Sequence, residues 1–216
     1  MRLLTFWSAH ANELLSLVER HLLLVGVSTL VAIAIGVPAG IAAARRPRGG
    51  RAILAVTNAA QTIPSLALLG FLLPLPFVGG VGSRVAIAAL ILYALLPIVR
   101  GTVAGLSSVD PSVVAAGVTM GMTARQLLWM VELPLALPAI VAGSLMVFTL
   151  SVGEFNLTWM LHTPLTRTLP VGLADSYASM RIEIGSAYTL VFFAVILPVL
   201  WGLQYLANVM QKRHGT

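Results

Sequence analysis

Between two long apolar runs, residues 107–134 read SSVDPSVVAAGVTMGMTARQLLWMVELP. Asp110 followed by Pro111 is typical of a helix start, because the aspartate oxygen accepts a backbone N–H and proline suits the first helical position. Gly121 is a natural left-handed end for such a helix. The pattern therefore predicts a short helix over residues 111–120 that stops at a glycine hinge.

A second helix is predicted directly after that hinge. Thr123 and Gln126 have the spacing of a capping box, and the helix they open leads into the next apolar run. The first helix presents small and apolar residues, which suits docking into a groove of a partner protein: Val113, Val114, Ala116 and Gly117.

The flanking sequence indicates an integral membrane protein. Of the 216 residues, 58% are hydrophobic and 9% are charged, whereas soluble domains carry about 25% charged residues. A hydrocarbon core of about 30 Å takes about 20 helical residues to cross, and membrane strands would alternate in polarity, which these runs do not. The expected fold is an all-α integral membrane protein with five transmembrane helices, each kinked by a proline, over residues 22–44 (Pro38), 52–73 (Pro64), 85–106 (Pro97), 133–152 (Pro138) and 187–210 (Pro198).

The basic residues predict the orientation, since they concentrate on the cytoplasmic side of membrane proteins. The N-terminus is then outside and the C-terminus cytoplasmic. Eight basic residues lie inside: Arg45, Arg46, Arg48, Arg51, Arg100, Arg125, Lys212 and Arg213. Five lie outside: Arg2, Arg20, Arg84, Arg167 and Arg181.

The same pattern divides the chain into three parts. We predict that residues 1–21 form an N-terminal interfacial helix or a tail, residues 22–210 the transmembrane domain, and residues 211–216 a cytoplasmic tail. Within the domain, residues 153–186 are too polar to cross the membrane and too apolar for a free loop. We expect a partly re-entrant segment there, buried by protein.

Polar residues within the second run are candidates for a transport pathway. Asn58 and Gln61 share one helix face, and Thr62 and Ser65 lie beside Pro64. At membrane depth such groups either join helices or line a path.

Two charged residues have alternative interpretations. Glu154, at the end of the fourth run, is a candidate for the pathway because a charge near a membrane span is a functional hypothesis by default. Alternatively it pairs with Arg167 or Arg181 and holds the following segment in place. Arg100 either lines the pathway or extends its charge to the membrane surface.

Several function classes are disfavoured by what the sequence lacks. No Gly-x-x-x-x-Gly-Lys-Ser/Thr phosphate loop is present, so the chain is not expected to hydrolyse ATP by itself. The four histidines lie far apart and there is no cysteine, so neither a metal site nor another cofactor is expected. The net charge of +6 is attributed to membrane orientation and not to nucleic acid.

The quoted stretch also resembles a known family. Its Ala115-Ala116-Gly117, its Gly121 four residues later and its Glu132-Leu133-Pro134 followed by Pro138 resemble the EAA loop of binding-protein-dependent ABC transporter permeases. The resemblance covers about residues 20–210. The chain departs from the usual pattern at two positions. Ala115 stands where the loop usually has its leading glutamate, and Gly117 stands where it usually has the following alanine.

The resemblance implies a type I ABC importer permease in the bacterial inner membrane, working by alternating access. In that family the loop is a cytoplasmic coupling helix seated in the ATPase. The implied partners are two copies of an ABC ATPase subunit, a second permease copy in a homodimer or a related chain, an extracytoplasmic substrate-binding protein and membrane lipid. The implied coupling residues are Pro111, Val114, Ala115, Ala116, Gly117, Gly121, Glu132 and Pro134.

The cargo has competing interpretations. QTIPSLALLG (residues 61–70) and VELPLALP (residues 131–138) resemble permeases for glycine betaine, choline and carnitine. SVGEF (residues 151–155) and TLPVG (residues 168–172) look more like permeases for molybdate, sulfate, thiamine or polyamines. A passive channel or scaffold is the alternative of another class, although a channel has no use for a coupling helix.

Overall fold

The computed structural model describes residues 2–163 and 166–214, and every regular element within these ranges is helical. One of these elements is a π-helical turn, Leu128–Glu132. The helices are α1 (Arg2–Ala9), α2 (Ala11–Arg45), α3 (Pro47–Thr62), α4 (Ser65–Leu72), α5 (Ser83–Ser107), α6 (Pro111–Thr119), α7 (Ala124–Leu127), α8 (Leu133–Val152), α9 (Asn156–Leu161), α10 (Leu169–Ala178) and α11 (Ile182–His214).

Four helical stretches in the described residues are long and apolar enough to cross a membrane. They are α2, α5, α11 and the continuous stretch Ala124–Val152. Each contains one of the predicted runs and its proline: Pro38, Pro97, Pro138 and Pro198. The predicted all-helical membrane fold is thereby confirmed.

The run over residues 52–73 corrects one expectation, because it is not a single kinked helix. The helix before Pro64 ends at Thr62, α4 begins at Ser65, and the two are bent by 104°. Pro64 has φ −56° and ψ 141°, which is extended backbone. Proline lacks the N–H that would continue the ladder and disfavours helical geometry in the residue before it. This run is therefore a sharply bent helix pair, either a broken span or a re-entrant loop.

The chain divides into two compact units. The first consists of Met1–Thr29, Ile63–Ile91 and Phe148–Gly202. The second consists of Leu30–Thr62, Leu92–Val147 and Leu203–Thr216.

In the first unit, the N-terminal residues form helices that are anchored to the rest of the unit. The buried Leu14 and Leu17 of α2 form one apolar cluster with Leu169 and Tyr188. The Tyr188 hydroxyl donates a hydrogen bond of 2.9 Å to the Glu13 carboxylate. Residues 2–9 and 11–21 are thus helical, and α2 continues through position 21 without a break. Their place at a membrane interface stays a prediction.

Part of the described segment over residues 153–186 is buried by protein, whereas residues 177–183 are exposed. Asp175 accepts hydrogen bonds from Arg167 at 2.8 Å and forms an ion pair with Arg181 at 3.6 Å. This burial agrees with the prediction, whereas re-entry into the membrane stays a prediction. Four apolar side chains of α9 and α10 are at most 2% exposed: Leu157, Leu161, Leu169 and Val171.

The second unit is built on close contacts of α5 with α2 and with α8. A methyl group at Gly40 would lie 2.5 Å from Cβ of Thr102, and one at Gly105 would lie 2.9 Å from the Ala136 carbonyl oxygen. Small residues let helix backbones approach closely in membranes, where the hydrophobic effect does not drive helices together. The three helices are therefore held at short range by their glycines.

The turn between α2 and α3 is tight and gathers four arginines. Arg46 alone separates the two helices, and the Gly50 N–H donates to its carbonyl oxygen at 2.6 Å. A methyl group at Gly50 would lie 2.2 Å from the Ala43 carbonyl oxygen. Glycine at this position is thus required by the packing, and the turn concentrates positive charge at Arg45, Arg46, Arg48 and Arg51.

Cysteine accessibility tests the orientation predicted from these arginines. The chain contains no cysteine, so single cysteines can replace Gly49 in the α2–α3 turn and Val81 before α5, both of which are exposed. We expect Gly49→Cys to react with a membrane-impermeant maleimide only from the cytoplasmic side, and Val81→Cys only from outside. The unmodified chain is the blank. Labelling of both positions from the same side would overturn the orientation.

Candidate functional site

The short helix α6 is closed at both ends by the residues that the sequence predicted. Asp110 accepts a 2.8 Å hydrogen bond from the Ser112 N–H, which lowers the pKa of its carboxyl, and Pro111 is the first helical residue. At the other end Gly121 has φ +81°. Its N–H donates to the Val118 carbonyl oxygen at 2.9 Å. The predicted helix start and glycine stop are confirmed.

The hydrogen bonds around Gly121 form a Schellman motif. The Met122 N–H reaches back to the Gly117 carbonyl oxygen at 3.1 Å, which satisfies a carbonyl group that the helix end leaves without a donor. Gly121 has open space where a side chain would begin. Its positive φ, not crowding, is therefore what demands glycine there.

The predicted capping box at the start of α7 is also present. The Gln126 side-chain oxygen accepts from the Thr123 N–H at 2.8 Å, and the Gln126 N–H donates to the Thr123 hydroxyl oxygen at 3.3 Å. Because both ends of the loop are fixed by such local bonds, α6 is held at a defined angle to α7.

Most of α6 is exposed, and its exposed side chains are small or apolar. Pro111, Ala115 and Ala116 are exposed, whereas Val114 is half-buried and Gly117 is buried. A methyl group at Gly117 would lie 2.6 Å from Cδ1 of Leu127, so this glycine packs against the following helix instead of facing outward.

Two further exposed residues extend the apolar surface of this loop. Val118 is 60% exposed and Met120 is 76% exposed. Sequence reasoning did not single them out, although a valine and a methionine on a short helix without charges are themselves a signal of a contact surface.

Glu132 lies apart from that surface, in an ion pair with Arg45 at the end of α2. The same guanidinium approaches the Ala124 carbonyl oxygen at 3.4 Å. Arg45 therefore bridges the start of α7 and the end of the π-helical turn, which fixes the exit of the loop. This pairing could not be predicted from the sequence, because the two charged residues are far apart along the chain.

The π-helical turn itself was not predicted from the sequence. The Leu133 N–H donates to the Leu128 carbonyl oxygen, five residues back. Pro134 follows directly, and a proline ring clashes with the carbonyl group four residues earlier in a regular α-helix. Widening the preceding turn relieves that clash, so Pro134 is the sequence signal that accounts for the turn.

Asn58 and Gln61 both reach from α3 to α5, as their shared helix face predicted. The Arg100 guanidinium donates to the Asn58 side-chain oxygen at 2.9 Å, and the Gln61 amide donates to the Tyr93 carbonyl oxygen at 3.1 Å. The Thr62 hydroxyl instead bonds to the Ala59 carbonyl oxygen of its own helix at 2.8 Å. The predicted polar set is therefore only partly brought together.

Ser65 and Glu154 belong to the first unit, and each lies at the start of a helix there. Ser65 is the half-buried first residue of α4. The Glu154 carboxylate accepts a 2.7 Å hydrogen bond from the Leu157 N–H at the start of α9. The alternative that Glu154 pairs with Arg167 or Arg181 is wrong for the described residues, where both arginines contact Asp175. Asp175 lies closer than Glu154 to both arginines in the sequence, and it forms an ion pair with each of them.

Arg100 is placed where a charge is unusual. It is the only exposed residue between positions 85 and 103 of α5, all of which the structure describes. The ion pairs formed by the described residues leave it without a carboxylate partner. Arg100 therefore presents a positive charge within a stretch of α5, residues 85–103, that is otherwise buried or half-buried.

Known proteins resemble this chain in sequence and fold. Residues 36–212 match the family described as the inner membrane component of binding-protein-dependent transport systems. The chain is 40% identical over 152 residues to the choline transport system permease protein OpuBD of Bacillus subtilis, a match that covers 70% of this chain and 66% of that relative. It thus spans just under two thirds of the length of that relative.

A second relative matches over nearly its whole length. The osmoprotectant import permease protein OsmW of Salmonella typhimurium is 35% identical over 207 residues, covering 94% of each chain. Among solved structures, the inward facing MetNI methionine ABC transporter superposes with a TM-score of 0.76 at 21% identity, over 91% of this chain and 95% of that one. The permease fold expected from the sequence is confirmed.

A double-mutant cycle tests the Arg45–Glu132 ion pair. We expect Arg45→Glu and Glu132→Arg each to lower the free energy of unfolding, because each places like charges together. The double variant should recover a coupling energy of up to about 1 kcal/mol, as is typical of a partly exposed pair. Unfolding in detergent micelles provides the measurement. Arg46→Glu is the matched control, and zero coupling would show that the pair contributes nothing.

Proposed function

We propose that this chain, which belongs to the family of inner membrane components of binding-protein-dependent transport systems, forms half of the pathway of an ABC importer for osmoprotectants of the glycine betaine and choline type. The named relatives support this cargo, since one is a choline permease and the other an osmoprotectant import permease. The second carries particular weight because it aligns with 94% of this chain, including the C-terminal third.

The single observation that carries the importer mechanism is the construction of α6. A helix of nine residues with an apolar, exposed surface is capped at both ends, and the segment that follows it is tied to α2 through the Arg45–Glu132 pair. A loop built only to connect two membrane helices needs none of these constraints. We assign α6 as the coupling helix, with Pro111, Ala115 and Ala116 facing the ATPase subunit.

The other residues of the predicted coupling set act from behind that surface. Val114 and Gly117 seat α6 on the following helix, Gly121 sets its angle, and Glu132 and Pro134 shape the turn into α8. In this assignment two ATPase copies drive the transporter, each pressing on one permease copy. Closing of the ATPases would move α6 and, through these contacts, α2 and α8.

The exposed surface of the candidate spans is consistent with contacts to a second permease copy and to lipid. No more than half of the residues in each candidate span among the described residues are buried within the chain. A membrane helix exposes that much surface only to lipid or to another protein. A homodimer or a pair with a related permease, loaded by an extracytoplasmic binding protein, completes the pathway in this assignment.

Arg100, Asn58 and Gln61 are our candidates for the pathway wall in the second unit. Arg100 lies seven residues before the end of α5, a depth of about 10 Å at 1.5 Å per residue. Charged side chains at membrane depth almost always face the bundle interior or a water-filled cavity. Thr62, Ser65 and Glu154 stay candidates, with the local hydrogen bonds of Thr62 and Glu154 giving those two an alternative, structural role.

Reconstituted transport tests the cargo. We expect proteoliposomes holding the permease with its ATPase, and supplied with its binding protein, to accumulate glycine betaine or choline in the presence of ATP. Molybdate and spermidine are the comparison solutes. Uptake of either in place of the quaternary amines would overturn the cargo and leave the importer intact, whereas uptake without the ATPase would establish a passive channel.

Substitution of Gly121 tests the coupling function. A valine cannot adopt φ +81° without strain, so Gly121→Val should misplace α6 and remove most of the binding-protein-stimulated ATPase activity and uptake. The spans should still insert, because burial in hydrocarbon does not depend on this turn. Gly121→Asn is the matched control, since asparagine tolerates the left-handed region and the surrounding space is open; it should retain activity. Full stimulation in Gly121→Val would contradict our assignment.

A further inference from the structure

An open groove runs along the second unit between α2 and α8. Its cavity volume is about 940 Å³. The wall is almost wholly apolar, with residues such as Ile33, Val37, Ile41, Leu137, Ile140 and Trp129. A groove with such a wall suits an elongated, apolar ligand.

One end of the groove is strongly positive. Arg45 and Arg46 line both the groove and an adjoining cleft of about 620 Å³, whose other walls are Arg48, Gly49 and Arg51. Among the ion pairs of the described residues, Arg45 alone from this group is engaged. Three arginines therefore keep their charge available beside the apolar wall.

The length of the groove matches one leaflet of a bilayer. From Ile33 to Arg45 the wall follows twelve residues of α2, which is about 18 Å at 1.5 Å per residue. One leaflet contributes about half of a hydrocarbon core of about 30 Å. The 62% exposed Trp129 lies at the same end as the arginines, and tryptophan is enriched at the membrane–water interface.

We propose that this groove is a binding site for an anionic phospholipid, with an acyl chain along α2 and α8 and the phosphate at Arg46 and its neighbours. The charge at the rim excludes a zwitterionic lipid as the preferred ligand, because an anionic headgroup gains attraction from each arginine near the surface. A second copy of this chain complements the rim poorly, since the sequence has 13 basic and only seven acidic residues.

Quenching of Trp129 fluorescence tests the site. The assembled transporter is placed in phosphatidylcholine vesicles that contain increasing mole fractions of either brominated phosphatidylglycerol or brominated phosphatidylcholine. The Trp129 signal is the difference between the unmodified protein and Trp129→Phe. We expect the phosphatidylglycerol to quench this signal at a lower mole fraction than the phosphatidylcholine.

Removal of one rim charge separates the site from a general surface effect. Arg46→Gln should raise the phosphatidylglycerol fraction for half-quenching about fivefold, the effect of one arginine near an anionic surface. Arg84→Gln removes the same charge from an exposed position outside the groove and should leave quenching unchanged. Equal quenching by the two lipids, or an equal response of both variants, would overturn the proposal. Absence of quenching by either lipid would show that protein fills the groove, which would overturn it as well.

Discussion

The close approach of α5 to α2 and α8 is the constraint on which the second unit depends. Glycines 36 and 40 of α2 lie against Ile98 and Thr102, while Gly105 and Gly143 bring α5 and α8 into backbone contact. Membrane helices associate through such packing because lipid is as apolar as their side chains. All three helices meet the loop between α5 and α8 or its Arg45 anchor, so the position of α6 follows from these contacts.

The sequence predicted local structure best where the signals lie within four residues of one another. Asp110, Gly121, Thr123 and Gln126 form their hydrogen bonds with groups only two or three positions away. Contacts with distant parts of the chain have little effect on such local hydrogen bonds. For the same reason four of the five apolar runs correctly predicted helices of membrane-spanning length, since a membrane demands internal hydrogen bonds from every segment that crosses it.

Features that no local pattern specifies could not be predicted from the sequence. The Arg45–Glu132 pair joins residues 87 positions apart, and nothing local distinguishes Arg45 from the three arginines after it. Pro64 was expected to kink one helix, but with extended backbone at that proline the chain turns by 104°. Glu154 instead accepts a hydrogen bond from the Leu157 N–H, and the two arginines expected to pair with it both contact Asp175.

Arg45 and Arg46 are neighbours in the sequence but make different contacts, because α2 ends at Arg45. Arg45 is the last residue of α2, so its guanidinium reaches across to Glu132 and the Ala124 carbonyl oxygen. A guanidinium holds several acceptors in a fixed fork, which a lysine ammonium does not reproduce. Arg46 stands between helices, with its side chain at the rim of the groove. The ion pair that fixes the segment after α6 and the charge at the rim of the groove are therefore adjacent in sequence but separable by substitution.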